Sequence, residues 1–210
     1  MDDLPAPLPL SRKRQQILEA ARALFLAQGY GHVSMDAMAK LAQVSKATLY
    51  AHFPSKNRLF ATIVSDACRL NTMDESNFPL IVTDIAAALR QIGVRLLTFL
   101  LLPATMEIYR VVMAESVRFP ELGEAFMAAG PEAFRARFMQ WLQVQVAAGH
   151  LAIDNPAVAA EQFGAMLRPL RFMRATLGLP GERDDAEEIA ATVGEAVETF
   201  LRRYRAAPEA

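Results

Sequence analysis

Residues 44–56 read VSKATLYAHFPSK, thirteen residues with no acid that place Lys46, Thr48, Tyr50, His52 and Lys56 close together. Ser45 is positioned to cap a short helix, KATLYAHF, in which Leu49 and Phe53 stand four apart on one apolar side. Just upstream, Ser34 precedes MDAMAKLA, whose Met35, Met38, Ala39 and Ala42 share a second apolar side. Gln43, Val44 and Ser45 join the two. Two short helices joined by about three residues form a helix-turn-helix. In that unit the first helix crosses a DNA backbone, and the second lies in the major groove with its first residues at base edges. The second helix must then expose small or polar side chains at its start, as Lys46, Ala47, Thr48 and Tyr50 do. Ala47 has only a methyl to offer, suited to a thymine methyl.

The flanking sequence supports a DNA-facing module. Ser11 is a plausible cap for a first helix with Ile17, Leu18, Ala21, Leu24 and Phe25 at helical spacing, and Gly29 reads as its left-handed end. Ser55 caps a fourth helix, KNRLFATIVSDACRL. Lys56 at that helix start, beside free N–H groups, is expected to hold a phosphate. Arg12, Lys13 and Arg14 form a second basic cluster within reach of backbone or minor groove. Charge is split along the chain. Residues 11–60 carry eight Lys or Arg against Glu19 and Asp36, while residues 61–210 carry 14 basic and 19 acidic side chains. All four lysines lie in the first 56 residues, although the whole 210-residue chain has a net charge of −1. Such asymmetry fits a nucleic-acid-facing module on an acidic body.

The remainder reads as helices at roughly 80–102, 104–117, 120–128, 131–148, 156–177 and 184–204, with Pro79, Pro103, Pro120, Pro131 and Pro156 at their starts. Pro169 should kink the fifth of these. No segment alternates with period two, so the fold class is all-α: an N-terminal three-helix DNA-binding domain and a C-terminal helical bundle. The expected layout is a disordered Pro-rich arm at 1–10, a DNA-binding domain at 11–71 and a second domain at 72–210. Hydrophobic residues make up 53 % of the chain, enough for a sizeable core. The acidic, proline-broken start is unlike a signal peptide, and LLTFLLLPA is too short to span a bilayer, so the expected location is the cytoplasm. A single cysteine, Cys68, fits a reducing compartment and reads as a small buried apolar residue.

Over about fifty residues, RQQILEAARALFLAQGYGHVSMDAMAKLAQVSKATLYAHFPSKNRLF resembles the TetR-type DNA-binding domain. The A-x-x-L-F…G-Y run at Ala21–Tyr30 and V-S-K-A-T-L-Y-x-H-F-x-S-K carry the likeness. MEIYRVVMAESVRFPELGEAFMAAGPEAF resembles the C-terminal domain of AefR-like members, mainly through R-F-P-E-L-G and A-G-P. The resemblance implies a homodimeric, ligand-responsive regulator, usually a repressor, of a palindromic operator. Carried over by position, it assigns DNA contacts to Ser34, Lys46, Ala47, Thr48, Tyr50, His52 and Lys56. Gln43 departs from the pattern, which favours glycine in the turn; if left-handed, Gln there costs roughly 1 kcal/mol. Asp36 departs too and is not assigned to DNA.

In the second domain, Phe99, Met106, Tyr109, Met113, Phe138, Trp141, Met166 and Arg168 are the candidate ligand pocket for a small apolar or amphipathic effector. Each apolar one also reads as ordinary core. Arg168 and Arg171 either snorkel to solvent or present a cation to the pocket. Long apolar faces at 156–177 and 184–204 suggest a homodimer seam through Phe163, Leu170, Met173, Val193, Val197, Phe200, Leu201 and Tyr204, the alternative being that both faces pack inside one chain. His32 and His150 read as surface or capping residues. Neither a metal-ligand cluster nor a nucleophile–base spacing occurs, so no cofactor, metal or catalytic residue is expected.

Overall fold

The computed structural model describes residues 12–71, 78–79, 81–168, 170–179 and 186–207. The expected arm at 1–10, Ser11 and Pro169 lie outside the described residues. Eleven α-helices are present among those described: α1 (Arg12–Gln28), α2 (Met35–Leu41), α3 (Lys46–His52), α4 (Lys56–Asn71), α5 (Ile85–Leu101), α6 (Pro103–Glu115), α7 (Pro120–Ala129), α8 (Pro131–Ala147), α9 (Pro156–Met166), α10 (Leu170–Thr176) and α11 (Ala186–Tyr204). No strand occurs among the described residues, and an isolated bridge joins Leu151 and Arg205. Helix starts follow local chemistry. Ser34 Oγ accepts from Ala37 N–H at 3.1 Å, Ser45 Oγ from Thr48 N–H at 3.0 Å and Ser55 Oγ from Arg58 N–H at 3.1 Å. Asp84 caps α5 through Ala86 and Ala87 N–H, so that helix begins at Ile85, not near residue 80. The expected helix over 156–177 is two helices, α9 and α10. Helix α9 ends at Met166 and α10 begins at Leu170; a proline in sequence has no N–H to donate and disfavours helical geometry in the residue before it.

The chain forms two compact units, whose limits differ from the 71/72 boundary expected from composition. The first holds the described residues up to Ile63 together with Val111–Phe126; the second holds Val64–Arg110 and the described residues from Met127 on. In the first unit, Ile17, Ala21, Phe25, Met38, Leu49, Phe53, Leu59 and Phe60 are buried. Phe25 stacks on Tyr30 at 5.4 Å between ring centroids, and Phe60 meets both edge-on. Such aromatic pairs add about 0.5–1.5 kcal/mol each beyond area burial.

In the second unit α5 is the buried axis, with Leu89, Ile92 and Leu97 at 0–2 % exposure. Helix α11 lies against α5, and Gly93 permits the approach: a Cβ there would stand 2.7 Å from Val193 Cγ1. An aromatic column runs from Trp141 through Phe138, Phe163 and Phe200 to Tyr204, with successive centroids 4.8–5.9 Å apart. Tyr204 Oη donates to Gln162 Oε1 at 2.6 Å, and Ala152 N–H donates to Tyr204 O at 2.8 Å, tying the α8–α9 loop to the end of α11. Burial pushes the Cys68 thiol up to about 11, which keeps it protonated near neutrality.

Gln43 has φ 53°, the positive-φ non-glycine residue of the chain's described part. The turn therefore carries backbone strain at a position where glycine would relax it. Gln43→Gly should raise Tm by about 2–4 °C, the shift expected for about 1 kcal/mol in a chain of this size, measured by thermal denaturation.

Candidate DNA interface

The helix-turn-helix is built from local caps and a long-range grip. Leu49 is fully buried and Phe53 is 2 % exposed, fixing the inner side of α3. The opposite side carries Lys46, Ala47, Tyr50 and His52, all exposed, with Tyr50 at 49 %. Ser34, Arg12 and Lys13 are exposed as well. Thr48 is half-buried; its Oγ1 lies 2.8 Å from Ser45 Oγ, so part of its hydrogen-bonding capacity is spent on the cap. Arg14 is set apart from its basic neighbours, its guanidinium 5.5 Å from the Phe53 ring centroid. The exposed Lys46 ammonium pairs with the exposed Asp36 carboxylate at 2.5 Å. That hydrogen bond and charge hold the ammonium above its ordinary range. Asp36, left unassigned from sequence, is thus the counter-charge of the recognition helix.

Lys56, expected at a phosphate, is engaged within its own chain. Its Nζ donates to Tyr30 O at 2.8 Å and Val33 O at 3.1 Å, and stands 4.3 Å from the Tyr30 ring centroid. Burial lowers its pKa from the ordinary value, opposed by the charges of Glu115 and Glu121. Glu115, which sequence reading passed over, accepts from Tyr30 N–H at 2.5 Å and Gly31 N–H at 2.6 Å. The phenol of Tyr30 is pushed up to about 12 by burial first and then by Glu121 and Glu115.

The expected pocket and seam residues lie in several places. Phe99, Met106, Phe138 and Trp141 are buried core. The Trp141 indole N–H donates to Pro79 O at 2.9 Å, so its polar handle is already used. Tyr109 packs edge-on against Phe172 at 5.5 Å, and Met166 is partly buried against the same core. Met113 is 58 % exposed. Arg168 reaches solvent with its guanidinium 5.8 Å from the Phe172 ring centroid, the snorkelling alternative. An open groove of about 960 Å³ is bordered by Ala86, Arg90, Val197, Glu198 and Leu201, and none of the expected pocket residues lines it. Of the expected seam, Phe163, Val193, Val197, Phe200, Leu201 and Tyr204 are at most 8 % exposed within the single chain. That corrects the expectation: α11 presses this face onto α5 and α9 of its own bundle. Leu170 and Met173 are exposed at 73 % and 61 %. Among the described residues no metal-ligand cluster occurs, and no single helix is long and apolar enough to cross a membrane.

Comparison with known families agrees with this arrangement. Residues 87–206 match the C-terminal domain of AefR-like transcriptional repressors, and residues 17–63 match the bacterial regulatory proteins of the tetR family. The chain belongs to the TetR family of transcriptional regulators. Two solved structures resemble it over nearly the full length. A TetR-family regulator from Mesorhizobium loti MAFF303099 shares 29 % identity and a TM-score of 0.79 over 93 % of this chain and 98 % of that one. The flavonoid-responsive regulator FrrA shares 35 % identity and a TM-score of 0.77 over 96 % of this chain and 100 % of that one. Two curated relatives match over a shorter stretch. The HTH-type regulator TcmR of Streptomyces glaucescens is 39 % identical over 56 residues, and the activator FasR of Mycolicibacterium smegmatis is 42 % identical over 57. These matches cover 27 % of this chain and about a quarter of each relative, 25 % and 26 %. The family and these neighbours are DNA-binding regulators, not enzymes.

Two outcomes follow for this unit. Asp36→Asn frees Lys46 and removes a repulsive charge, so it should tighten DNA binding, by less than about tenfold because the pair is exposed, as read by fluorescence anisotropy. Below pH 10 the Tyr30 phenol is protonated whether the chain is folded or not; between pH 10 and about 12 only the unfolded chain ionises there. The wild type should therefore lose stability across that window relative to Tyr30→Phe, measured by denaturant titration at each pH.

Proposed function

We propose that the chain acts as a homodimeric, effector-responsive repressor that binds a palindromic operator. The observation that carries the reading is the exposed side of α3, where Lys46, Ala47, Tyr50 and His52 stand free of the core while Leu49 and Phe53 anchor the helix. A two-fold dimer would present two such helices to successive major grooves, about 34 Å apart. Leu170, Met173 and Leu177 support self-association. They recur at helical spacing and are 61–73 % exposed, a row of apolar side chains that gains by burial against a second copy. Repression is the reading favoured by the AefR-like match, and FasR, named an activator, makes a reporter assay with the cognate promoter the test of sign.

The effector is proposed as a small apolar or amphipathic molecule bound by the second unit. FrrA, similar over nearly the whole chain, is named flavonoid-responsive, so planar polyphenols belong in the first screen. Effector and operator would disfavour each other reciprocally, by about 1–3 kcal/mol. Calorimetry with and without operator must return the same factor in both directions, and equal effector affinity in the two conditions would dismiss the induction mechanism.

Selection of bound duplex from a random pool should return an inverted repeat. Tyr50→Ala should weaken binding to that duplex by about tenfold, the loss of one base-edge or sugar–phosphate anchor, with melting temperature and oligomeric state unchanged in calorimetry and sedimentation.

A further inference from the structure

The turn between α1 and α2 is gripped at both backbone polarities. The Glu115 carboxylate takes the N–H groups of Tyr30 and Gly31, and the Lys56 ammonium takes the carbonyls of Tyr30 and Val33. Val33 directly precedes Ser34, the N-cap of α2, so the grip acts where the helix-turn-helix begins. We propose that Glu115 and Lys56 are positioning residues for DNA recognition, which set the place of α2 and α3 through this turn without touching DNA.

Several independent features converge on the turn. Gly29 has φ 76°, a conformation that L side chains seldom adopt, and a Cβ there would fall on Glu115 Oε1. Gly31 has no such backbone requirement, yet its Cβ would stand 2.7 Å from Phe119 Cε2 and 2.9 Å from Cζ. The two glycines thus admit a carboxylate and an aromatic ring close to the backbone. Phe119 meets the Tyr30 ring edge-on at 5.5 Å, and the Lys56 ammonium lies 5.8 Å from the Phe119 centroid. Ion-to-amide hydrogen bonds are about twice as strong as neutral ones, so each charge holds its side of the turn firmly. The grip also answers why a lysine stands at the start of α4. Two of its three N–H groups and the face of a ring are committed inside the protein, a geometry that a phosphate ligand does not require.

The inference rests on the DNA-binding reading, and its test separates the two. Wild type, Glu115→Ala, Glu115→Gln, Lys56→Met and the Glu115→Ala/Lys56→Met double variant are titrated as full chains, against the selected duplex and a random-sequence duplex over a salt series. Amide hydrogen exchange and thermal melting are measured on the same samples. Expected are losses of about tenfold for Glu115→Ala and for Lys56→Met on both duplexes, with the slope of log K against log salt unchanged, because no phosphate contact is removed. Glu115→Gln should fall between, since its single carbonyl oxygen still accepts one N–H. The double variant should lose much less than the product of the singles, both acting on one turn. Tyr30 and Gly31 amides should exchange faster in Glu115→Ala while α3 stays protected. A slope reduced by about 0.9 in Lys56→Met would return that lysine to a phosphate, and wild-type affinity in Glu115→Ala would end the proposal. Should the wild type bind no duplex, the DNA-binding reading fails instead; unaltered exchange at Tyr30 and Gly31 in Glu115→Ala would overturn the grip independently.

Discussion

A chain leaving one helix and entering another must find partners for the backbone groups that lie outside both ladders. Between Gln28 and Met35 this chain solves the problem with two opposite charges. Glu115 satisfies N–H groups and Lys56 satisfies carbonyls, and the Tyr30 ring between them completes an aromatic cluster with Phe25, Phe60 and Phe119. The caps at Ser34 and Ser45 can then place α2 and α3 in register, because the residues before Ser34 are already fixed.

Much of this unit was legible in the sequence because its determinants are local. A cap and the helix it starts lie within three residues of each other, and the left-handed Gly29 ends α1 by a hydrogen bond to Phe25 O. Lys56 shows where locality fails. A lysine at a helix start reads as a phosphate site when only its neighbours are considered, yet its acceptors are 23 and 26 residues away. Glu115 lies 84 and 85 residues from the amides it holds, in a helix whose composition marks it as part of another region.

The second unit was legible as a bundle but not in its pairings. An apolar stripe says that a face is covered; it does not say by what. Phe163, Val193, Val197, Phe200 and Leu201 have the periodicity of a subunit seam and are covered by their own chain. Trp141, expected to line a ligand pocket, spends its indole N–H on a backbone carbonyl 62 residues away. The stretch read as one bent helix over 156–177 is two helices, and the short α10 keeps Leu170 and Met173 in solvent.

The location of Glu115 limits how freely this protein can be recombined. Compactness assigns Val111–Phe126 to the first unit, although the sequence likeness to the AefR-like domain runs through it from 87 to 206. A hybrid biosensor that grafts residues 12–63 onto the sensing region of another regulator would inherit the two glycines and the lysine while leaving their carboxylate and ring behind. The natural graft carries a second, discontinuous piece spanning Glu115 and Phe119, so modularity in this chain follows the fold rather than the reading frame.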